Sequence, residues 1–187
     1  DTPDYKAIWK KFEDSLGNYV KKFGYYDVFV ICKPHGHVMY SYAKENDLGA
    51  HFSSGKYKDS ALADLWKKAV KKNDIVVEDF ESYAPSDGSQ SMFIGGPVHD
   101  DTGKTVAVVA LQVPQGPINN IVQKRQGLGE TGETYLAAEQ NGRIEFRSDL
   151  QTMGNGNYTI GYDITDIATD YLYEVFKGNE VIDIFVD

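Results

Sequence analysis

The sequence predicts an α+β fold in which helices flank an antiparallel five-stranded sheet, with an N-terminal helix before the sheet and a partial second module after it. Three observations predict this fold. Short runs rich in β-branched and aromatic residues recur between residues 25 and 113, one amphipathic helical pattern interrupts them, and a longer helical pattern precedes them. Because most of the connections are short, we expect neighbouring strands to run antiparallel.

The N-terminal helix is predicted over residues 3–23. Thr2 followed by Pro3 is a helix start signal, and Gly24 is a stop signal. Apolar side chains recur between them at helical spacing, at Ile8, Phe12, Leu16, Tyr19, Val20 and Phe23. We expect this segment to be the last part of a longer helix.

The sheet is predicted from five strands with one helix among them. The strands cover residues 26–32, 37–43, 75–83, 89–98 and 104–113. Pro34 and Gly36 favour a turn that makes the first two strands a hairpin. The helix begins after Asp59 or Ser60, and its apolar face should cover the sheet.

The rest of the chain predicts a second, smaller unit. Its elements are a helix over 118–126, strands over 134–138, 143–147 and 180–186, and a helix over 171–177. The glycine-rich segment 127–133 links it to the sheet. We therefore expect three domains, over residues 1–24, 25–126 and 127–187, the last an incomplete module or one shortened in this chain.

Composition and charge exclude several classes of function. A formal net charge of -9 and a pI near 4.9 oppose binding to nucleic acid, because phosphate recognition requires basic patches. The only cysteine, Cys32, allows neither an internal disulfide nor a cysteine-based zinc site. No segment approaches the roughly 20 apolar residues of a membrane span, and we expect the chain to be part of a longer protein. No cofactor is predicted.

Four segments in register resemble the Cache (PAS-like) extracytoplasmic sensor domains of bacterial methyl-accepting chemotaxis proteins. They read GYYDVFV at 24–30, VMYSYAKENDLG at 38–49, FESYAPS at 80–86 and GLGETGETYL at 127–136. The last, followed by Arg147-Ser148-Asp149, resembles the link between the two modules of double-Cache receptors. The order of the predicted elements is also that of a PAS-like fold.

The resemblance implies a small-molecule sensing domain that lies between two transmembrane helices outside this chain and faces the periplasm or cell exterior. It implies signalling through a cytoplasmic output domain. The alternative is that the same kind of sensor belongs to a histidine kinase or a nucleotide cyclase instead of a chemotaxis protein. Many amino-acid-sensing Cache domains carry an Arg before the pocket, and residues 47–65 contain none. We also expect a homodimer that packs along the helix of residues 3–23.

The ligand pocket is expected between the concave face of the sheet and the segment 44–57. Aromatic side chains would supply contact area, and Lys44 or Asp79 would recognise charge. The candidate ligand-binding residues are Tyr42, Lys44, Asp47, Tyr57, Asp79, Tyr83 and Phe93. Alternatively, the tyrosines are ordinary strand residues, and Asp47 bonds nearby backbone N–H groups in a turn.

Metal and catalytic sites are not predicted. His35 and His37 are two residues apart across a turn, so their side chains should converge poorly on one metal ion. We therefore interpret His35, His37, His51 and His99 as solvent-exposed histidines in turns. No nucleophile occurs in a recognisable catalytic context. A small carboxylate enzyme and a structural module whose pocket is filled by its own side chains are the alternatives to a sensor.

Overall fold

The computed structural model describes residues 2–152 and 156–181. The chain divides into two compact units between Pro117 and Ile118. In the first unit, a five-stranded sheet is built from β1 (Asp27–Cys32), β2 (Val38–Ser41), β3 (Val76–Tyr83), β4 (Ser89–His99) and β5 (Thr105–Val113). Its strand order is β2-β1-β5-β4-β3, and each pair is antiparallel.

Two helices cover the two faces of this sheet. Helix α1 (Pro3–Phe23) packs on one face through Val20, while α2 (Ala61–Lys72) packs on the other through Leu62 and Leu65. The hydroxyl of Ser60 caps α2 by accepting from the N–H of Ala63. The result is a sheet with apolar residues buried on both sides.

Gly36 closes the β1–β2 hairpin in a conformation that other residues rarely adopt. Its φ is +66°, and an added Cβ would lie 2.9 Å from Cβ of Phe52 and 3.0 Å from the Trp66 ring. The indole N–H of Trp66 donates to the carbonyl of Cys32 at 3.1 Å. The turn is therefore held against the segment after β2 and against α2.

The second unit begins within α3 (Gln115–Val122) and contains the hairpin β6 (Ala137–Gln140) and β7 (Arg143–Phe146), followed by α4 (Asp170–Phe176). Its buried cluster comprises Ile144, Phe146, Leu150 and Ile164. The carboxylate of Asp149 accepts from the Asn119 amide at 2.6 Å and from the N–H of Ile160 at 2.9 Å, which joins α3 to the loops of this unit.

The α+β fold and the five antiparallel strands predicted from the sequence are confirmed, and α1 has the predicted bounds. Two elements are displaced. The helix predicted over 118–126 begins at Gln115, because the proline at position 117 is tolerated where the first-turn N–H groups have no helical partner. The strand predicted over 134–138 begins at Ala137. Of the strand predicted over 180–186, residues 182–186 lie outside the described residues.

The predicted domain boundaries stay predictions. In the described ranges, no helix has the length and apolarity that a membrane span requires.

Candidate functional site

Polar side chains collect at one end of the sheet face that α2 covers. Asp27 at the start of β1 is paired across the sheet with Gln112 near the end of β5, and Gln112 is paired with Phe93 on β4. Cross-strand partners lie on the same side of a sheet, so these three side chains share the α2 side. Asp27 and Gln112 are both buried.

The Asp27 carboxylate organises the chain as it leaves β2. One oxygen accepts from the N–H groups of Val28, Tyr42 and Ala43 at 2.6, 2.7 and 3.1 Å, and the other accepts from the Ser41 hydroxyl at 2.7 Å. Burial raises the pKa of Asp27 to about 6, while these four donors act in the opposite direction. Asp27 therefore has a structural role, because it holds the backbone of residues 41–43 against β1.

Asp47 and Tyr83 form a buried pair on the same side. The Tyr83 hydroxyl donates to Oδ2 of Asp47 at 2.6 Å, and the Tyr83 ring meets Phe93 edge to face at 4.9 Å between centroids. Oδ1 of Asp47 is buried without a partner. Burial raises the pKa of Asp47, and it raises the pKa of Tyr83 well above the usual phenol range.

Glu45 links the start of the sheet to the turn after β3. Its Oε1 accepts from the Tyr26 hydroxyl and its Oε2 from the Ser86 hydroxyl, each at 2.6 Å. The hydrogen bond to Glu45 is the main cause that raises the pKa of Tyr26 to about 12. The Gln112 amide continues this network, because Nε2 donates to Ser86 at 3.1 Å and to Ser91 at 2.9 Å.

A cavity of about 310 Å³ opens beside this network. It is lined by Tyr26, Ser86, Ser89, Gln90, Ser91 and Gln112, together with Pro114 and Gln115. Two amide oxygens of the lining, Oε1 of Gln90 and Oε1 of Gln112, are buried without a hydrogen-bond partner. Since buried acceptors normally have a donor, this cavity has the polar character of a site for a small molecule that carries N–H or O–H groups.

Four of the sequence-predicted residues lie in or beside one buried cluster. Tyr57, Tyr83 and Phe93 belong to the core under α2, and Asp47 is bonded to Tyr83. Tyr83 and Phe93 are at most 1% exposed, so both belong to the packed core, and their role as ligand contacts stays a prediction. The polar cavity is lined by Gln112, the cross-strand neighbour of Phe93.

The other three predicted residues are placed elsewhere. Lys44 holds its ammonium 3.5 Å from the centroid of the Trp9 ring on α1, and Tyr42 packs against α1 beside Gly17. Asp79 lies in the irregular part of β3 and accepts from the N–H of Phe80 at 2.7 Å. Tyr42 and Lys44 are thus part of the α1 side of the first unit.

Sequence reasoning missed Asp27, Glu45, Ser86 and Gln112. A usable signal was present for two of them, because Asp27 and Gln112 are polar residues within otherwise apolar strands. A buried polar residue in such a run requires a partner, which predicts a network. Glu45 and Ser86 lie in loops, where polar residues are common and carry no such signal.

Comparison with known proteins gives fold likenesses only. No family model matches the chain, and no curated protein matches it. Among solved structures, the ligand-binding domain of the Campylobacter jejuni chemoreceptor Tlp3, in complex with 4-methylisoleucine, is similar at 14% identity and a TM-score of 0.48. The match covers 75% of this chain and 66% of that one, so this chain spans about two thirds of its length.

Two further sensor domains are similar over 75% of this chain. The V. cholerae histidine kinase DctB sensor domain matches at 12% identity over 67% of its length, with a TM-score of 0.46. The ligand-binding domain of Mlp24 with asparagine matches at 11% identity over 73% of its length, with a TM-score of 0.40. At these identities and TM-scores, the neighbours do not indicate what this chain binds, so its ligand class is inferred from its own residues. The first unit itself has an α+β fold with the strand order β2-β1-β5-β4-β3, which is the order of a PAS-like sheet.

Proposed function

We propose that the first unit is a sensor that binds a small molecule in the polar cavity. The observation that carries this proposal is the pair of buried amide oxygens, on Gln90 and Gln112, that lack a donor in a cavity large enough for a small ligand. Leaving a buried polar group without a partner costs about 1–3 kcal/mol, and a bound donor removes that cost. Ligand binding is therefore favoured at these atoms.

The surroundings favour a ligand rich in donors or positively charged. Asp27, Glu45 and Asp47 lie at this end of the sheet, and none of them forms an ion pair with a Lys, Arg or His within the described residues. Amines and polyhydroxy compounds suit such a site. Dicarboxylates do not, because the carboxylates would repel them and a buried anion requires a cationic partner.

Binding can be transmitted to α1 by a short path. The N–H of Tyr26 donates to the Gln112 carbonyl at 2.9 Å, and Tyr26 follows Gly24, which caps α1, by only two residues. A ligand that contacts Tyr26 and Gln112 better in one conformation would bias the direction in which α1 leaves the sheet. This coupling is the signalling step of the proposed sensor.

An exposed apolar stripe on α1 fits a second copy of the chain. Four exposed apolar side chains, of Ile8, Phe12, Tyr19 and Phe23, form one stripe along the helix, while Leu16 and Val20 pack inward. Such a stripe is the seam expected of paired helices. In a dimer along α1, each cavity would be coupled to the other through the paired helices, because ligand binding in a cavity biases the direction of its α1.

We place the chain in the extracytoplasmic, periplasmic part of a transmembrane receptor of the methyl-accepting chemotaxis type, with the membrane helices outside this chain. The four segments that resemble Cache domains support this placement. A histidine kinase or cyclase would use the same sensor, since the output lies outside the chain. An enzyme would require turnover of the bound compound.

A thermal-shift screen of the chain tests the proposal, with amines, polyols, amino acids and dicarboxylates as probes. An amine or polyol at 100 times its dissociation constant should add about 2.7 kcal/mol of stability. Gln90→Met should weaken that shift, because it removes an acceptor of the cavity. Gln126→Met, an exposed glutamine outside the cavity, is the matched control.

Three results would overturn the proposal. If NMR detects chemical conversion of the bound compound, the chain is an enzyme. No shift with any class of probe in a folded sample would indicate a structural module whose pocket is filled by Tyr83 and Phe93. Equal loss of binding in Gln90→Met and Gln126→Met would show that the ligand does not bind in the polar cavity.

A further inference from the structure

Three histidines that are separated in the sequence meet on the surface of the first unit. His35 and His37 flank Gly36 in the β1–β2 turn, and His51 comes from the segment after β2. The ring centroids of His37 and His51 are 4.9 Å apart with an angle of 25° between the planes, and those of His35 and His51 are 6.1 Å apart. All three residues are exposed.

The backbone holds His37 and His51 opposite each other. They form an antiparallel bridge, and the hydrogen bonds lie on either side of it, from the N–H of Val38 to Ala50 at 3.0 Å and from the N–H of Phe52 to Gly36 at 2.9 Å. A pair flanked in this way is the narrow, non-hydrogen-bonded kind, in which the two side chains approach most closely.

Gly36 makes this arrangement possible. Its φ of +66° turns the chain after β1, and the lack of a Cβ lets the turn approach Phe52 and Trp66 closely. The backbone positions of His37 and His51 are therefore held by a turn that packs against Phe52 and Trp66. Their side chains, in contrast, are exposed and can rotate.

We propose that His37 and His51 chelate a divalent transition metal ion, of the class of Zn²⁺ or Ni²⁺, with His35 as a third ligand. Imidazole nitrogen suits these ions, and water completes their coordination. In the described ranges, no three His, Cys, Asp or Glu groups already stand at metal-binding geometry. The site therefore requires rotation of the exposed rings, which their backbone spacing permits.

A bound metal would tie the segment 49–53 to the hairpin turn. That segment is joined to Asp47, because the N–H of Ala50 donates to the Asp47 carbonyl at 2.8 Å. Metal binding would thus restrain the loop that carries Glu45 and Asp47. This site is separate from the polar cavity, and neither proposal depends on the other.

The test is calorimetric titration of the untagged chain with Zn²⁺ or Ni²⁺ at pH 7.5. We expect one saturable site, and a loss of affinity of roughly tenfold or more in His37→Gln and in His51→Gln, because each removes a ligand. His35→Gln should lower the affinity less. His99→Gln, which changes an exposed histidine bonded to Asn73 outside the cluster, should leave the affinity unchanged.

Two further measurements sharpen the outcome. Cys32→Ser should keep the affinity, which separates the imidazoles from the thiol that accepts from the N–H of His37 at 3.3 Å. Absence of a saturable site in the folded chain would overturn the proposal, and so would equal effects of His99→Gln and His51→Gln. Circular dichroism of each variant establishes that it is folded.

Discussion

The hydroxyl of Tyr83 reaches Oδ2 of Asp47 across the buried face of the sheet at 2.6 Å, while Oδ1 of the same carboxylate has no partner. The two residues come from β3 and from the segment after β2, so one hydrogen bond joins the loop after β2 to the strand at the opposite edge of the sheet.

Tyr83→Phe should destabilise the first unit by about 1–3 kcal/mol, because it removes the hydroxyl that donates to Oδ2 of the buried Asp47 carboxylate. Urea denaturation followed by fluorescence measures the change. Combining it with Asp47→Leu should recover part of the loss, since the unpaired carboxylate is then absent. Full additivity of the two substitutions would contradict the pairing.

The buried Asp27 carboxyl should make the chain less stable as pH rises. Its pKa is about 6 in the folded protein against 3.8 in the unfolded chain, so the folded state binds the proton more tightly. The contribution is fully present below pH 3.8 and is lost as pH rises through 6, by about 3 kcal/mol in total. Burial raises the pKa of Asp47 too, which adds to the same trend.

Asp27→Asn is the test of this pH dependence. The Asn oxygen can accept from the same three backbone N–H groups, and its amide can donate to Ser41. The fall in unfolding free energy between pH 4 and pH 7 should therefore be smaller in this variant. An unchanged slope would show that Asp27 does not titrate in this range.

Gly36→Ala should destabilise the chain by roughly 2–4 kcal/mol, since it combines a left-handed backbone with an overpacked Cβ. Gly103→Ala provides a matched control, because Gly103 has a φ of +81° but open space around its Cα. It should cost only about 1–2 kcal/mol. Equal losses in thermal or urea unfolding would mean that the contacts with Phe52 and Trp66 are unimportant.

Lys44→Met should leave ligand affinity unchanged once a ligand of the polar cavity is found. The Lys44 ammonium lies over the Trp9 ring, so the substitution removes a cation–π contact of about 0.5–1 kcal/mol and affects stability only. Calorimetric titration of the variant checks this. Loss of binding would instead support the sequence-based prediction that Lys44 recognises the ligand.

Phe12→Glu should shift the chain toward the monomer if the α1 stripe is the dimer seam, because a charge would be buried between the helices. Sedimentation velocity over a range of protein concentration measures the shift. Val77→Glu changes an exposed apolar residue of β3 instead, and it should have no effect. A chain that stays monomeric at high concentration would contradict the dimer.

The fold was predictable because its signals are local. Turn formers such as Gly36 and caps such as Ser60 determine element ends within a few residues. The candidate site was less predictable than the fold. Side chains alternate between the two faces of a strand, but the sequence does not show which alternate residues face α1 and which face α2. Asp47, Tyr83 and Phe93 lie on the α2 side of the sheet and do not line the polar cavity, while Tyr42 and Lys44 lie on the α1 side. The meeting of His37 with His51 depends on a backbone pairing that no local pattern encodes.

The strand order has a consequence for how the chain acquires its structure. β1 lies inside the sheet between β2 and β5, although β2, α2, β3 and β4 separate β1 from β5 in the sequence. During synthesis, β1 emerges early, yet one of its edges stays unpaired until β5 follows. The meander β3-β4-β5 has local contacts and can assemble first, so closure of β1 onto β5 should be the slow step of folding.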